Sequence, residues 1–193
     1  DDDVDNVVRR ILVQANIIGT DATHAGYFGN DEGGIFMEGN VGWSYIGSED
    51  DLLDPNAPNS PDAKKCKKGA DRAGNVIVNN GKDGIYLLAE SDEYDAQPRH
   101  ITIQKNYIGV TPGNQEMGNV ESGIRTFRTS NNKIFGNVIG ANARVVGFDD
   151  AGIRLTGAWL HLIFCNSIGT DPSHTQHLPN KGHGIWVDGK ILD

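Results

Sequence analysis

The chain has 193 residues, a formal net charge of −9 and 37% hydrophobic residues. That acidity argues against a general nucleic-acid binder. No run of eighteen apolar residues exists, so no transmembrane segment is expected, and no secretory leader is recognisable.

Asp1-Asp2-Asp3-Val4-Asp5-Asn6 leads almost at once into a phrase that keeps returning: Asn, any residue, Ile, Gly. It stands at Asn16-Ile17-Ile18-Gly19, Asn106-Tyr107-Ile108-Gly109, Asn137-Val138-Ile139-Gly140 and Asn166-Ser167-Ile168-Gly169. Ser44-Tyr45-Ile46-Gly47 and Asn75-Val76-Ile77-Val78 are looser copies. A period near 30 held along the chain is the signature of a repeat architecture, and six stacked isoleucines are expected. Three residues before each copy stand Val13, Val41, Arg72, Ile103, Ile134 and Ile163, read as part of another strand. The Asn itself falls in a tight bend, where the left-handed region and side-chain stacking along an axis both suit it.

A second phrase, Gly-Ile followed by alternation, begins at Gly34, Gly84, Gly123, Gly152 and Gly184. Period two means strand. Ile35/Met37, Ile85/Leu87, Ile124/Thr126, Ile153/Leu155 and Ile185/Val187 face inward. The outward positions are then Phe36, Tyr86, Arg125, Arg154 and Trp186, followed by Glu38, Leu88, Phe127, Thr156 and Asp188.

Between the two phrases lie loops 20–33, 110–122, 141–151 and 170–183, all placed at one corner. Residues 48–74 break the pattern, first acidic and Pro-rich, then basic with Lys64, Lys65, Lys67 and Lys68 around Cys66. They read as an irregular excursion from a single domain spanning 1–193. A Cys66–Cys165 disulfide is compatible with the sequence but not demanded by spacing.

Three short strands in about 30 residues make one turn of a parallel β-helix, with turns about 4.8 Å apart. The asparagine turns and repeat length resemble the right-handed parallel β-helix proteins of the pectate-lyase-like superfamily. The expected fold is all-β: a right-handed, single-stranded parallel β-helix of about six coils with long loops at one corner. Open strand edges at its ends would favour end-to-end or lateral self-association.

The outward face carries the chemistry. Aromatic faces stack on sugar rings, and guanidinium groups grip carboxylates. Phe36, Tyr86, Phe127, Trp186, Asp188 and His183 are the substrate-binding candidates, and polysaccharide, including a uronate-containing one, is the expected partner. The resemblance implies a lyase or epimerase with Arg125 or Arg154 as base, and Asp149 and Asp150 as acids or calcium ligands. Calcium is the cofactor it implies. Gly182-His183-Gly184 is similar to a glycoside-hydrolase motif, but position 183 is a variable turn site across the five copies. His174, His177 and Asp171 form a weaker metal candidate, and Asp21 and Asp171 suit turn chemistry as well as calcium. The competing reading is a non-catalytic surface module such as an adhesin, tailspike or surface-layer repeat, or a fragment of a larger protein. Either reading places the chain outside the cell or on its surface.

Overall fold

A computed structural model describes residues 7–48, 74–91, 93, 96–145 and 150–189. Most of the 48–74 excursion, with Cys66 and Arg72, lies outside the described residues. Cys165 is disulfide-bonded.

The described residues form short strands and no α-helix. The first are β1 (Val8–Arg9), β2 (Leu12–Val13), β3 (Ile17–Ile18), β4 (Ile35–Glu38), β5 (Val41–Gly42) and β6 (Tyr45–Gly47). Then come β7 (Val76–Ile77), β8 (Ile85–Leu88), β9 (Thr102–Gln104), β10 (Tyr107–Ile108), β11 (Ile124–Phe127) and β12 (Lys133–Phe135). The last are β13 (Val138–Ile139), β14 (Ala151–Thr156), β15 (Leu162–Phe164), β16 (Ser167–Ile168) and β17 (His183–Asp188).

Every strand pairing is parallel, and the chain visits three five-stranded sheets in rotation. One holds β3, β7, β10, β13 and β16, the Asn-x-Ile strands. A second holds the Gly-Ile strands β4, β8, β11, β14 and β17, and the third holds β2, β6, β9, β12 and β15. Parallel neighbours so short, each returning above the last, are compatible with a parallel β-helix. No helix among the described residues is long and apolar enough to cross a membrane.

The core is three inward columns meeting on one axis. Ile77, Ile108 and Ile139 belong to the first, Ile85, Ile124 and Ile153 to the second, and Ile46, Ile103 and Ile134 to the third, all fully buried. Each such side chain contributes about 2 kcal/mol or more by leaving water. Among the described residues, the outermost strands have no neighbour on one side. Val8, Ile11, Leu12 and Ile17 are exposed at one end of the stack, and Ile185 and Val187 at the other.

Ser44-Tyr45-Ile46-Gly47 is not a copy of the Asn phrase. Its strand β6 pairs with β2 and β9, so Ile46 stands between Val13 and Ile103. Val41, assigned by spacing to the third sheet, pairs instead with Val8. β3 pairs directly with β7 across the excursion, and five isoleucines, not six, make the first column.

The Asn phrase builds a ladder. The side-chain amide of Asn16 donates to Oδ1 of Asn75 at 2.9 Å, Asn75 to Asn106 at 2.9 Å, Asn106 to Asn137 at 3.0 Å and Asn137 to Asn166 at 3.0 Å. Contrary to the sequence reading, the left-handed residue is the one before the Asn: Ala15, Lys105 and Cys165 have φ of 58, 57 and 56°. The bend needs the Asn for its carboxamide. Its oxygen accepts from the backbone N–H of the preceding ladder Asn, and three of the ladder amides also reach back to the carbonyl two residues earlier: Gln14, Gln104 and Phe135.

A second ladder, not anticipated, lines the corner before the Gly-Ile strands. Asn30 donates to Asn80 at 2.8 Å, Asn80 to Asn119 at 2.8 Å, Asn119 to Asn142 at 2.8 Å and Asn142 to Asn180 at 3.1 Å. This ladder explains the Gly of Gly-Ile. A Cβ on Gly123 would lie 2.7 Å from the Gly152 carbonyl and 2.8 Å from Nδ2 of Asn142, so only hydrogen fits there.

Candidate functional site: the outward face of the Gly-Ile sheet

Pairing places Phe36 beside Tyr86, Tyr86 beside Arg125, Arg125 beside Arg154 and Arg154 beside Trp186. The predicted row therefore lies on one face, in axial order. The second row, Glu38, Leu88, Phe127, Thr156 and Asp188, is likewise in register.

Two like charges directly opposite on adjacent strands repel. Arg125 and Arg154 relieve this by leaning on opposite neighbours. The Arg125 guanidinium lies over the Tyr86 ring, 4.8 Å from its centroid, and Arg154 lies over Trp186 at 4.7 Å. Phe36 packs on Tyr86 at 5.5 Å and His183 on Trp186 at 5.6 Å. Phe127 carries Arg128 over its ring at 5.2 Å. The result is a strip of six planar groups in two runs, Phe36-Tyr86-Arg125 and Arg154-Trp186-His183, whose aromatic pairs are tilted by 47° and 59°.

Carboxylates sit under the arginines. Nη1 of Arg125 is 3.7 Å from Oδ2 of Asp83 and 3.6 Å from Oε2 of Glu121, and Nη1 of Arg154 is 3.8 Å from Oδ1 of Asp150. Asp83 and Asp150 are buried, 2% and 4% exposed, so neither presents a free carboxylate to a large ligand. Ser122 links them: its N–H donates to Asp83 at 3.0 Å and its hydroxyl donates to Asp150 at 3.2 Å. Burial pushes the Asp83 carboxyl up to about 7, with Arg125 pulling the other way and Glu121 pushing with burial. Asp83, Glu121 and Ser122 were not among the sequence candidates. Asp83 and Ser122 occupy the variable position before Gly-Ile, and nothing in their spacing marks them as partners of an arginine one strand away.

Asp150 stands beside Arg154. Asp149 lies outside the described residues. Asp188 is partly exposed beside Thr156, and His183 is exposed at the edge of the strip.

The acid-bearing loops are turn-builders. Asp21 accepts from the N–H and hydroxyl of Thr23 and from the N–H of Ala25, and the Thr23 hydroxyl is the largest of the contacts that hold its carboxyl below the ordinary value. Asp171 accepts from Ser173 and from the N–H groups of Thr175 and Gln176 at 2.7 Å each, which likewise lower it. Among the described residues, no three His, Cys, Asp or Glu side chains stand close enough together to hold a metal ion.

Comparison with family models, with curated proteins and with solved structures finds no match.

Proposed function

We propose that this chain is a right-handed parallel β-helix of about six coils, one domain, secreted or displayed on a cell surface, that binds polysaccharide along the Gly-Ile face. The observation that supports this is the strip: Phe36, Tyr86, Arg125, Arg154 and Trp186 in register on one sheet face, flanked by His183. Sugar rings stack on such planes, and guanidinium edges donate to hydroxyls and carboxylates. Binding fits the geometry better than lyase or epimerase chemistry. A general base has to reach the proton it removes. Here the described acids nearest the arginines hold those arginines in place from beneath. Calcium, if it takes part, would need oxygen ligands such as Asp149 and Asp150.

A structural or adhesive module is the second reading. Internal pairing of both arginines with acids favours it, since such pairing also suits a plain, self-satisfied surface. A glycan array with the intact chain separates the two. Binding to at least one polysaccharide, weakened about tenfold or more by Trp186→Ala and by Tyr86→Ala, is the expected result. No binding across acidic and neutral glycans overturns the proposal in favour of the structural module.

A further inference from the structure

The sheet of β6, β9 and β12 has its own outward feature. Tyr45, Thr102 and Lys133 lie side by side in register. Thr102 is short, so the space between the tyrosine ring and the lysine stem is open. One edge of that space is the bend before the sheet, where Gly42, Arg99 and Ser130 bridge in parallel. The next residues, Trp43, His100 and Asn131, are all left-handed, with φ of 47, 56 and 54°. Together the six side chains enclose a cleft of about 180 Å³.

Its chemistry is unlike that of the strip. No carboxylate among the described residues lines it. Lys133 makes no ion pair with any described residue. The Trp43 ring carries the guanidinium groups of Arg9 and Arg99 at 5.0 and 5.6 Å and stacks with His100 at 5.0 Å. Burial, then the charges of Arg99 and Lys133, hold the His100 pKa below its ordinary value, which marks the locality as electropositive in a chain of net charge −9. A volume below the roughly 300 Å³ of a drug-sized pocket suits a single sugar ring.

We propose that this cleft binds one anionic sugar residue of a glycan, with its carboxylate or sulfate at Lys133 and its ring against Tyr45, Thr102 and the edge of Trp43. Asn131 and Thr102 supply the amide and hydroxyl partners that ring hydroxyls need. The site lies on a different sheet from the strip and does not require the strip to bind.

The test is a titration of the isotope-labelled full chain with a galacturonate tetramer, a sulfated disaccharide and a neutral glucan oligomer. Amide and indole chemical shifts and calorimetry are the readouts. Shifts centred on Trp43, Thr102 and Lys133 are expected with an anionic sugar and not with the neutral one, and the better of the two acids names the group. Lys133→Gln should weaken that binding about tenfold or more. Thr102→Phe, which fills the cleft with a residue that strands favour, should abolish it. Trp186→Ala should leave these shifts unchanged, so failure of the strip and failure of the cleft are distinguishable. Absence of shifts at the cleft, equal shifts with the neutral oligomer, or unaltered affinity in both cleft variants would overturn the proposal.

Discussion

Arg125 lies over the ring of Tyr86 at 4.8 Å while its Nη1 reaches Asp83, 3.7 Å below. One guanidinium is thus held by a plane above one strand and by an acid beneath the same strand. Arg154 is held from two sides: Trp186 lies on the neighbouring strand, whereas Asp150 stands four residues earlier in its own segment. Because each positive charge faces a buried acid, the strip offers planes and N–H donors more than net charge.

Arg154→Ala is the direct probe of that distinction. It should weaken an acidic glycan more than a neutral one, by about tenfold against a few-fold, because the bidentate contact to carboxylate is lost while Trp186 remains to stack. Affinities on matched uronate and neutral oligomers measure it. Equal losses would leave stacking as the whole of the interaction.

Asn106, like Asn137, is among the most heavily used amides of the first ladder. It accepts from the N–H and side chain of Asn75 and donates to Asn137 and to the carbonyls of Ile46 and Gln104. Asn106→Ala leaves those groups buried without partners and should cost about 3 kcal/mol or more. Asn16→Ala, at the exposed end of the same ladder, should cost about 1 kcal/mol or less. Denaturant midpoints of the two variants give the comparison.

Thr126 faces the core between Leu87 and Leu155, fully buried, and its hydroxyl has no partner among the described residues. Thr126→Val keeps the shape and removes the unpaired oxygen. Stability should rise by about 1 kcal/mol. A lowered melting temperature would show that the hydroxyl is satisfied in solution.

Two buried groups pull the pH profile in opposite directions. Asp83 binds its proton more tightly folded than unfolded, so its contribution is fully present below about pH 4 and is lost as pH rises to about 7. His161 is held neutral by burial, with its pKa lowered to about 4. Its Nδ1 accepts from the N–H of Asn132, which leaves Nε2–H to donate to Thr129. Its contribution is present above about pH 6.5 and is lost as pH falls towards 4. Asp83→Asn should therefore give stability that rises by roughly 3 kcal/mol from pH 4 to 6.5. His161→Asn should give the reverse slope. Urea midpoints across that range decide it, and parallel profiles in the two variants would contradict both assignments.

The strand rows, their inward and outward sides and the asparagine ladder were legible because each rests on a recurrence that short strands cannot hide. Phe36, Tyr86, Arg125, Arg154 and Trp186 share one offset from Gly-Ile, and parallel pairing turns that offset into a row. Ser44-Tyr45-Ile46-Gly47 misled because the excursion after it lengthens one repeat. A near-copy at the expected distance then stands in for the missing phrase. The second ladder left a weaker trace. Asn30, Asn80, Asn119 and Asn180 each stand four residues before the strand glycine, but Asn142 is separated from Gly152 by a longer loop. Asp150 was named from the sequence, but Asp83 and Glu121 beside Arg125 were not legible, since their role depends on which way a long side chain leans.

The carboxamide runs are one-way. In both, every amide-to-amide hydrogen bond is donated toward the carboxy-terminal side and accepted by an oxygen that looks back toward the amino-terminal side. Hydrolysing a single amide to an acid would remove one hand-over and set oxygen against oxygen. A rod built this way would come apart first at that rung, leaving shorter stacks on either side with their polarity intact.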